Sequence, residues 1–324
     1  MRFLILGGTA FVGRHIVQEA LAAGHELTLF NRGVTNPSLF GAVETRKGDR
    51  TASDLASLEA GEWDAVVDVN GYVPRVVDEM AATLKDRVGT YCFISTGSVY
   101  ADHGPIDTDE DARLLEYKGE PTEEITDRSY GPLKVLCERA AQAAYPDASL
   151  IIRPGIVAGP YDPTDRFTYW ARRIARGGRV LGPERPDQPV QLVHAQDQAR
   201  FIVRMLEERA RGAFNTVGPD EAMTFAEMVA GCAVAAGADV EMVWAPEKVL
   251  SDNGVTLQLA MPANGSWDGT FRRSNQRGKD RGFRNRPIAE LAADTLEWDR
   301  TRDQARTGAK MVTEAQEAQV LALL

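Results

Sequence analysis

Tyr130 and Lys134 are the two residues whose types and spacing point most directly to chemistry. Their separation of four residues, at the start of a predicted helix, places both side chains on one helix face. An ammonium group beside a phenol favours the phenolate and lowers the phenol pKa below its usual value of about 10. Such a phenol can exchange a proton with a substrate hydroxyl or carbonyl. The alternative is a surface aromatic residue beside a surface lysine.

A cluster of hydroxyl residues, Ser-Thr-Gly-Ser-Val-Tyr at positions 95–100, closes another predicted strand. In doubly wound sheets the carboxyl ends of the strands face the ligand crevice. Thr96 or a serine beside it could therefore hydrogen-bond the substrate oxygen that Tyr130 protonates. The same residue types also favour ordinary turns, so the cluster is informative only together with the Tyr–Lys pair.

A glycine-rich segment follows the first predicted strand, Phe3–Leu6, and opens the first predicted helix. Its residues are Gly7, Gly8, Thr9, Ala10, Phe11, Val12 and Gly13. Glycine at the strand end permits a tight turn, and small residues let backbone N–H groups approach a pyrophosphate. Gly13 lets the helix pack closely on the strand. In this position the pattern indicates a dinucleotide cradle, and the alternative is a tight turn without a ligand.

The end of the second predicted strand bears on the choice between NAD(H) and NADP(H). A cofactor with free ribose hydroxyls usually meets an acidic residue there, whereas this chain has Asn31 and Arg32. Arg32 could face a 2′-phosphate, which favours NADP(H) over NAD(H). Asp49 and Arg50 follow the third strand; Asp49 could bind the adenine amino group or cap a helix predicted near Ser53–Glu59.

The elements that position these residues alternate between short apolar strands and helices. This order implies right-handed crossovers and a parallel sheet with helices on both faces. We therefore predict an α/β fold, a doubly wound parallel sheet, in which residues 1–155 form a dinucleotide-binding Rossmann domain and 190–217 return to it. Prolines interrupt the pattern from Pro154 onward, and 156–189 with 218–324 are expected to form a smaller, irregular substrate-binding region.

The composition restricts the partners of the chain. Its 324 residues include 37 Lys and Arg against 47 Asp and Glu, for a net charge of −10, which disfavours binding of nucleic acid or anionic membranes by the whole molecule. The three scattered cysteines fit a reducing compartment. Without a signal-like N-terminus or a long apolar stretch, the chain is expected to be cytoplasmic, and its histidines show no metal-ligand spacing.

Together these motifs resemble the NAD(P)-dependent epimerase/dehydratase family of extended short-chain dehydrogenases/reductases, in its atypical branch. In the family's strand-five motif the hydroxyl residue four before a Tyr is catalytic, and that position here is Thr96. Residues 153–160 (Arg-Pro-Gly-Ile-Val-Ala-Gly-Pro) resemble the segment lining the nicotinamide and substrate crevice. Residues 190–197 are similar to the family's Phe-Val-His-Val-Asp-Asp stretch, and 282–287 resemble its C-terminal signature.

The resemblance implies a role for each matching residue. Tyr130 would be the general acid/base, Lys134 would tune it and hold the cofactor ribose, and Thr96 would orient the substrate oxygen. The implied cofactor-binding set also includes Asn70, Gly71, Ser95, Arg153, Pro154 and Gly155. The substrate would be a small molecule with a hydroxyl or carbonyl group. Relatives often form homodimers through the Tyr-bearing helix; the alternative is a helix that contacts only its own core.

Three departures from the family pattern bear on the substrate. Ala10 stands in place of the usual middle glycine of the cradle. Gly-Ser at positions 97–98 replaces the Asp-Glu pair of sugar-nucleotide 4,6-dehydratases, which disfavours water elimination. Residues 244–271 lack the arginine that usually holds a nucleotide-sugar diphosphate, although Arg272 or Arg273 could take its place.

The sequence thus predicts an NAD(P)-dependent oxidoreductase or epimerase. Reduction would move hydride and proton one way, and epimerisation would move them both ways on one substrate. The alternative is a non-catalytic NAD(P)-binding sensor or an RNA-binding protein, since residues 272–286 hold seven basic residues and one acid. Such relatives often lose the Tyr–Lys pair, which this chain keeps, so the enzyme is favoured.

Overall fold

The computed structural model describes residues 1–120, 122–219, 221–302 and 311–324. Its strands are β1 (Arg2–Leu6), β2 (Glu26–Asn31), β3 (Glu44–Lys47), β4 (Trp63–Asp68), β5 (Val88–Ile94), β6 (Ser149–Pro154), β7 (Ile156–Ala158), β8 (Gly178–Gly182), β9 (Pro189–Val190), β10 (Leu192–His194), β11 (Gly212–Thr216), β12 (Met223–Thr224) and β13 (Val240–Trp244). Its helices are α1 (Phe11–Ala22), α2 (Pro74–Thr83), α3 (Tyr130–Ala144), α4 (Arg166–Ala175), α5 (Ala195–Glu207), α6 (Phe225–Ala236), α7 (Glu247–Asp252), α8 (Gln276–Asp280), α9 (Ile288–Asp299) and α10 (Glu314–Leu321).

Seven of these strands form a wholly parallel sheet in the order β11-β6-β5-β4-β1-β2-β3. The chain moves outward from β1 to β3 and then returns to β4 on the other side of β1. The direction of winding therefore reverses between β1 and β4, where the loops diverge and leave a crevice at the carboxyl ends of the strands. The predicted doubly wound parallel sheet is confirmed.

Both faces of the inner strands are buried, which explains the largely apolar runs of β1, β4 and β5, whereas the edge strand β3 is polar and exposed. Alternation along β1 directs Phe3 and Ile5 toward α1 and α5 on one face. Leu4 and Leu6 pack with α2 and α3 on the other face. All four side chains are fully buried, so the loop that follows β1 leaves the sheet from a rigid core.

The residues beyond β6 build a second apolar core around α4, α6 and α9. Between these helices the chain revisits the sheet: α5 packs on α1, and β11 becomes the edge strand beside β6. The domain boundaries drawn from the sequence stay predictions. None of the helices in the described ranges is both long and apolar enough to span a bilayer.

The helix predicted near Ser53–Glu59 is wrong. Two short 3-10 turns, Arg50–Ala52 and Ala56–Leu58, stand in its place. Ser53 ends the first turn with a left-handed backbone (φ 57°), which stops a helix from continuing. The Asp49 carboxylate caps this turn by accepting a hydrogen bond from the backbone amide two residues on, at 2.9 Å.

Candidate active site

A cavity of about 1200 Å³ opens along the carboxyl edge of the sheet, where the winding reverses between β1 and β4. Loops after β1, β2, β4 and β5 and the first turn of α3 form its wall. The predicted site residues that line it are Gly7, Gly8, Thr9, Ala10, Phe11, Val12, Asn31, Arg32, Asp49, Arg50, Asn70, Ser95, Thr96, Tyr130, Lys134, Pro154 and Gly155. Gly13, Gly71 and Arg153 lie outside the wall that the described residues form.

Residues 7–13 form what we call the cradle end of the cavity. Gly7 and Gly8 have φ angles of +110° and +92°, which side-chain-bearing residues rarely adopt. A Cβ on Gly13 would lie 2.8 Å from the Gly8 nitrogen, so glycine there lets α1 pack against the loop. Ala10 precedes α1 and offers no side-chain cap, which leaves the first N–H groups of the helix to a ligand. These features fit a dinucleotide pyrophosphate.

Asn31, Arg32 and Asp49 lie where the sequence predicts the adenosine ribose. The Asn31 side-chain oxygen accepts a hydrogen bond from the Gly33 amide at 2.8 Å, which fixes the turn after β2. Hydrogen bonds from Thr51 hold the pKa of Asp49 below its usual value. Arg32 is exposed on the cavity rim and free to meet a ligand charge.

Arg50 is held in a buried ion pair, and its contact with a cofactor stays a prediction. Its two terminal nitrogens donate to the carboxylate of fully buried Asp68 at 2.6 and 2.7 Å, and the Tyr91 hydroxyl donates to the same carboxylate at 2.8 Å. Burial opposes the charge on Arg50, but Asp68 outweighs burial and raises the pKa of the guanidinium. A buried ion pair of this kind holds the loop after β4 in place.

Arg153 is likewise structural rather than part of the cavity wall. Its guanidinium donates to Glu138 of α3 at 3.0 and 2.7 Å, and the Ser95 hydroxyl donates to the same carboxylate at 2.5 Å. Both charged side chains are almost fully buried. Arg153 thus ties β6 to α3 directly behind the hydroxyl cluster.

Gly71, also predicted to bind the cofactor, serves the packing of the loop after β4. A Cβ on this residue would lie 2.7 Å from the Phe93 ring, so a larger residue does not fit. Its carbonyl accepts a hydrogen bond from the Lys134 ammonium at 2.9 Å. Gly71 therefore acts on the cavity through Lys134.

Thr96, Ser98 and Tyr130 form what we call the hydroxyl end of the cavity. Thr96 follows β5 and caps the 3-10 turn Gly97–Val99 by accepting a hydrogen bond from the Ser98 amide at 3.1 Å. Tyr130 begins α3, and all three side chains line the cavity. Burial raises the pKa of Tyr130, while Thr96 and then Arg166 act in the opposite direction by favouring the phenolate.

That Lys134 tunes Tyr130 stays a prediction. The fully buried ammonium donates to the carbonyls of Gly71 and Ile94, at 2.9 and 2.6 Å, and lies 4.1 Å from the centre of the Phe93 ring. Burial lowers the pKa of Lys134 to about 8. An ammonium has three donors, so one remains for a ligand in the cavity.

Two arginines of the wall carry charges that the motifs did not assign. Arg166, at the start of α4, is the cation whose field favours the Tyr130 phenolate. Arg273 is buried, and its guanidinium lies so close to Gly97 that any side chain there would collide with it. The sequence offered Arg273 only as part of a basic segment and as one of two substitutes for the missing diphosphate arginine, and no pattern pointed to Arg166.

The cradle end and the hydroxyl end share one crevice, at the point where the winding of a doubly wound parallel sheet reverses, which is where such sheets bind their ligands. Residues 3–218 match the sequence profile of the NAD dependent epimerase/dehydratase family. This match covers more than half of the chain, and the protein belongs to that family. The resemblance found from the motifs is thereby confirmed.

Solved structures and a curated relative are similar to the chain. UDP-N-acetylglucosamine 4-epimerase from Bacillus cereus superposes with a TM-score of 0.70 at 18% identity, over 92% of this chain and 99% of that one. UDP-glucuronic acid 4-epimerase from Bacillus cereus in complex with NAD gives a TM-score of 0.67 at 15% identity, over 93% and 99% of the two chains. At these identities the likeness establishes the fold alone.

The curated relative is the chloroplast stem-loop binding protein of 41 kDa b from Arabidopsis thaliana. It is 28% identical over 255 residues, which are 73% of this chain. The match spans 63% of the relative's own length, less than two thirds of that protein.

Proposed function

We propose that this protein is an NAD(P)-dependent oxidoreductase or epimerase acting on a hydroxyl or carbonyl group of a sugar-like or small ketone substrate. The observation that carries the proposal is the single cavity shared by the cradle, Thr96, Tyr130 and Lys134. Family membership supports an NAD-dependent enzyme, and the geometry supports proton transfer at the hydroxyl end.

The cradle would hold the pyrophosphate on the uncapped start of α1, and the remaining donor of Lys134 would reach a ribose hydroxyl. When bound, the nicotinamide gives or accepts a hydride.

Tyr130 would exchange the proton and Thr96 would orient the substrate oxygen. Because burial raises the pKa of Tyr130, the phenol is protonated at neutral pH and can donate to a carbonyl oxygen during reduction. Oxidation needs the phenolate, which Thr96 and Arg166 favour. We therefore expect the oxidation rate to rise with pH and the reduction rate to fall once Tyr130 ionises.

The test is cofactor titration followed by a screen of sugars, sterols and small ketones for the nicotinamide absorbance change. In Tyr130→Phe, turnover should fall about 10²- to 10⁴-fold, because the proton donor is lost. Cofactor affinity should stay unchanged. Equal turnover in wild type and Tyr130→Phe would contradict the assignment.

Cofactor choice is tested at Arg32. The exposed guanidinium supports NADP(H), whereas the UDP-glucuronic acid 4-epimerase structure from Bacillus cereus is a complex with NAD. If Arg32 meets a 2′-phosphate, Arg32→Ala should weaken NADP(H) binding and leave NAD(H) binding unchanged. Equal losses for both cofactors would contradict the preference.

The second candidate function is RNA binding, which the name of the Arabidopsis relative favours. The basic segment 272–286 has few arginines available to bind RNA phosphates, because several of them pair with carboxylates. These pairs are Arg277 with Asp111, Arg281 with Glu208 and Arg286 with Asp197. Salt-sensitive stem-loop binding without turnover of any compound in the screen would reverse the ranking.

Dimerisation through α3 stays a prediction. Of the three residues that could form such an interface, Val135 and Ala140 are already buried within the chain itself and Leu136 is partly buried. This burial supports the alternative, in which α3 contacts only its own core. Sedimentation of the purified protein would distinguish monomer from dimer.

A further inference from the structure

Arg273 carries a buried charge that no carboxylate in the described part of the chain neutralises. The residue is 6% exposed, and one terminal nitrogen, Nη2, has no hydrogen-bond partner among the described residues. No carboxylate among the described residues pairs with it. Each of the other arginines buried to this degree in the described chain has such a pair: Arg50 with Asp68, Arg153 with Glu138 and Arg173 with Glu317.

A lone guanidinium is costly to remove from water, so its place in the fold calls for a compensating partner. Burial lowers the pKa of Arg273 to about 10, which still leaves the side chain charged at neutral pH. The remaining contact that favours the charge is the Tyr100 ring, whose centre lies 5.2 Å from the guanidinium carbon. An aromatic ring replaces only part of a counter-ion.

The backbone of Arg273 is held in place from both sides. The Gln191 amide donates to the Arg273 carbonyl at 2.8 Å and accepts from the Arg273 amide at 3.1 Å. Thr108 adds a β-bridge on the same residue. The cation is therefore positioned before any ligand arrives, which lowers the entropic cost of binding.

Arg273 faces the hydroxyl end of the cavity and not the cradle end. The guanidinium lies against Gly97, the residue between Thr96 and Ser98 in the sequence. Gln191, which holds the Arg273 backbone, lines the same cavity. A group bound there would thus sit beside the substrate oxygen on which Thr96 and Tyr130 act. This position differs from that of a nucleotide pyrophosphate on the start of α1.

We propose that Arg273 binds an oxyanion of the substrate, a carboxylate or a phosphate, next to the reacting hydroxyl group. The inference rests on the proposed function and narrows its substrate class to sugar acids and sugar phosphates. A guanidinium binds both groups through two parallel hydrogen bonds, and in a buried site these bonds are stronger than in water. Arg166 on the same wall adds a second positive charge near Tyr130.

Calorimetric titration with three probes tests the proposal: glucuronate, glucose 6-phosphate and neutral glucose. Wild type should bind one or both charged probes more tightly than glucose, and the preferred probe distinguishes a carboxylate from a phosphate ligand. In Arg273→Met this binding should weaken about 10- to 100-fold. The matched control is Arg300→Met, an exposed arginine outside the described cavity wall, which should change binding less than about twofold because solvent screens its charge.

Thermal unfolding without ligand separates ligand binding from a structural role. Because the charge is unpaired, Arg273→Met should keep or raise the Tm, and the charged probes should raise the Tm of wild type only. Arg273→Lys should restore part of the binding. Equal affinity of wild type and Arg273→Met for the charged probes, or a Tm of Arg273→Met far below that of wild type, would overturn the proposal.

The two proposals fail in distinguishable ways. Charged-probe binding that depends on Arg273, in a protein without hydride transfer, would leave this site intact and remove the proposed function. Turnover of neutral sugars or ketones that Arg273→Met leaves unchanged would keep the enzyme and remove the oxyanion site.

Discussion

The cradle end and the hydroxyl end of the cavity differ in whether their buried arginines have carboxylate partners. Behind the cradle end, Arg50 has a carboxylate partner in Asp68. At the hydroxyl end, Arg273 has no carboxylate partner among the described residues. Burial also raises the pKa of Tyr130 there. Paired charges hold loops in position, whereas an unpaired charge in a cavity wall marks a place where a ligand supplies the partner.

The largest effect that tests this comparison is expected from Asp68→Asn. The substitution leaves Arg50 buried without a counter-ion, so the free energy of unfolding should fall by about 3–5 kcal/mol. Arg273→Met, in contrast, should not destabilise the protein. Urea denaturation of both variants measures this opposite behaviour.

The control for Asp68→Asn is Asp102→Asn, which removes the partner of Arg113 in a pair exposed on both sides. Its loss should change stability by less than about 1 kcal/mol. If Asp68→Asn were no more harmful than this control, the distinction between the two ends would not hold.

Lys134 lies between the two ends and gives a pH-dependent test. Its pKa is lowered to about 8 from 10.5, so the unfolded chain binds more protons than the folded protein between these values. Stability attributable to Lys134 should therefore rise with pH across this window, by up to about 3 kcal/mol. The measurement is the difference in unfolding free energy between wild type and Lys134→Met at several pH values, in which other titrating groups cancel. A flat difference would contradict the buried position of the ammonium.

A smaller effect, confined to the cradle end, is expected from Gly8→Ala. The new methyl group would strain a positive φ and lie 3.1 Å from Leu29 and Val17, at a cost of about 2 kcal/mol and with weaker cofactor binding. Gly24→Ala has a positive φ without neighbours and should cost about 1 kcal/mol. Calorimetric unfolding and cofactor titration of both variants separate the backbone strain, which both share, from the side-chain contacts that only Gly8→Ala would make. Equal losses of stability in the two variants would contradict the close packing around Gly8.

Local pattern was sufficient to predict the sheet and the cradle. Strands buried on both faces show as continuous apolar runs, and the glycines of residues 7–13 mark a turn that few other residues can make. The helix predicted near Ser53–Glu59 failed because a single left-handed residue interrupts it, which propensity does not reveal.

The roles of the charged residues depended on partners far away in the sequence. Asp68 is 18 residues from Arg50, so motif position alone assigned Arg50 to the cofactor. The spacing of Tyr130 and Lys134 places both residues on one helix face. It does not predict which backbone carbonyls the long lysine side chain contacts in the fold. Arg273 lies in a segment rich in basic residues. Only the structure shows that its neighbours in this segment have carboxylate partners and that Arg273 differs from them.

The missing cap at Ala10 has a consequence for the lifetime of the protein. A helix start without a side-chain acceptor is less stable by about 1 kcal/mol than one with Ser or Asp. A pyrophosphate seated there would act as the cap and protect the first turn of α1 from opening. We expect proteases to cut the segment 7–13 faster in coenzyme-free protein, so that the coenzyme supply of the cell would regulate how long each molecule survives.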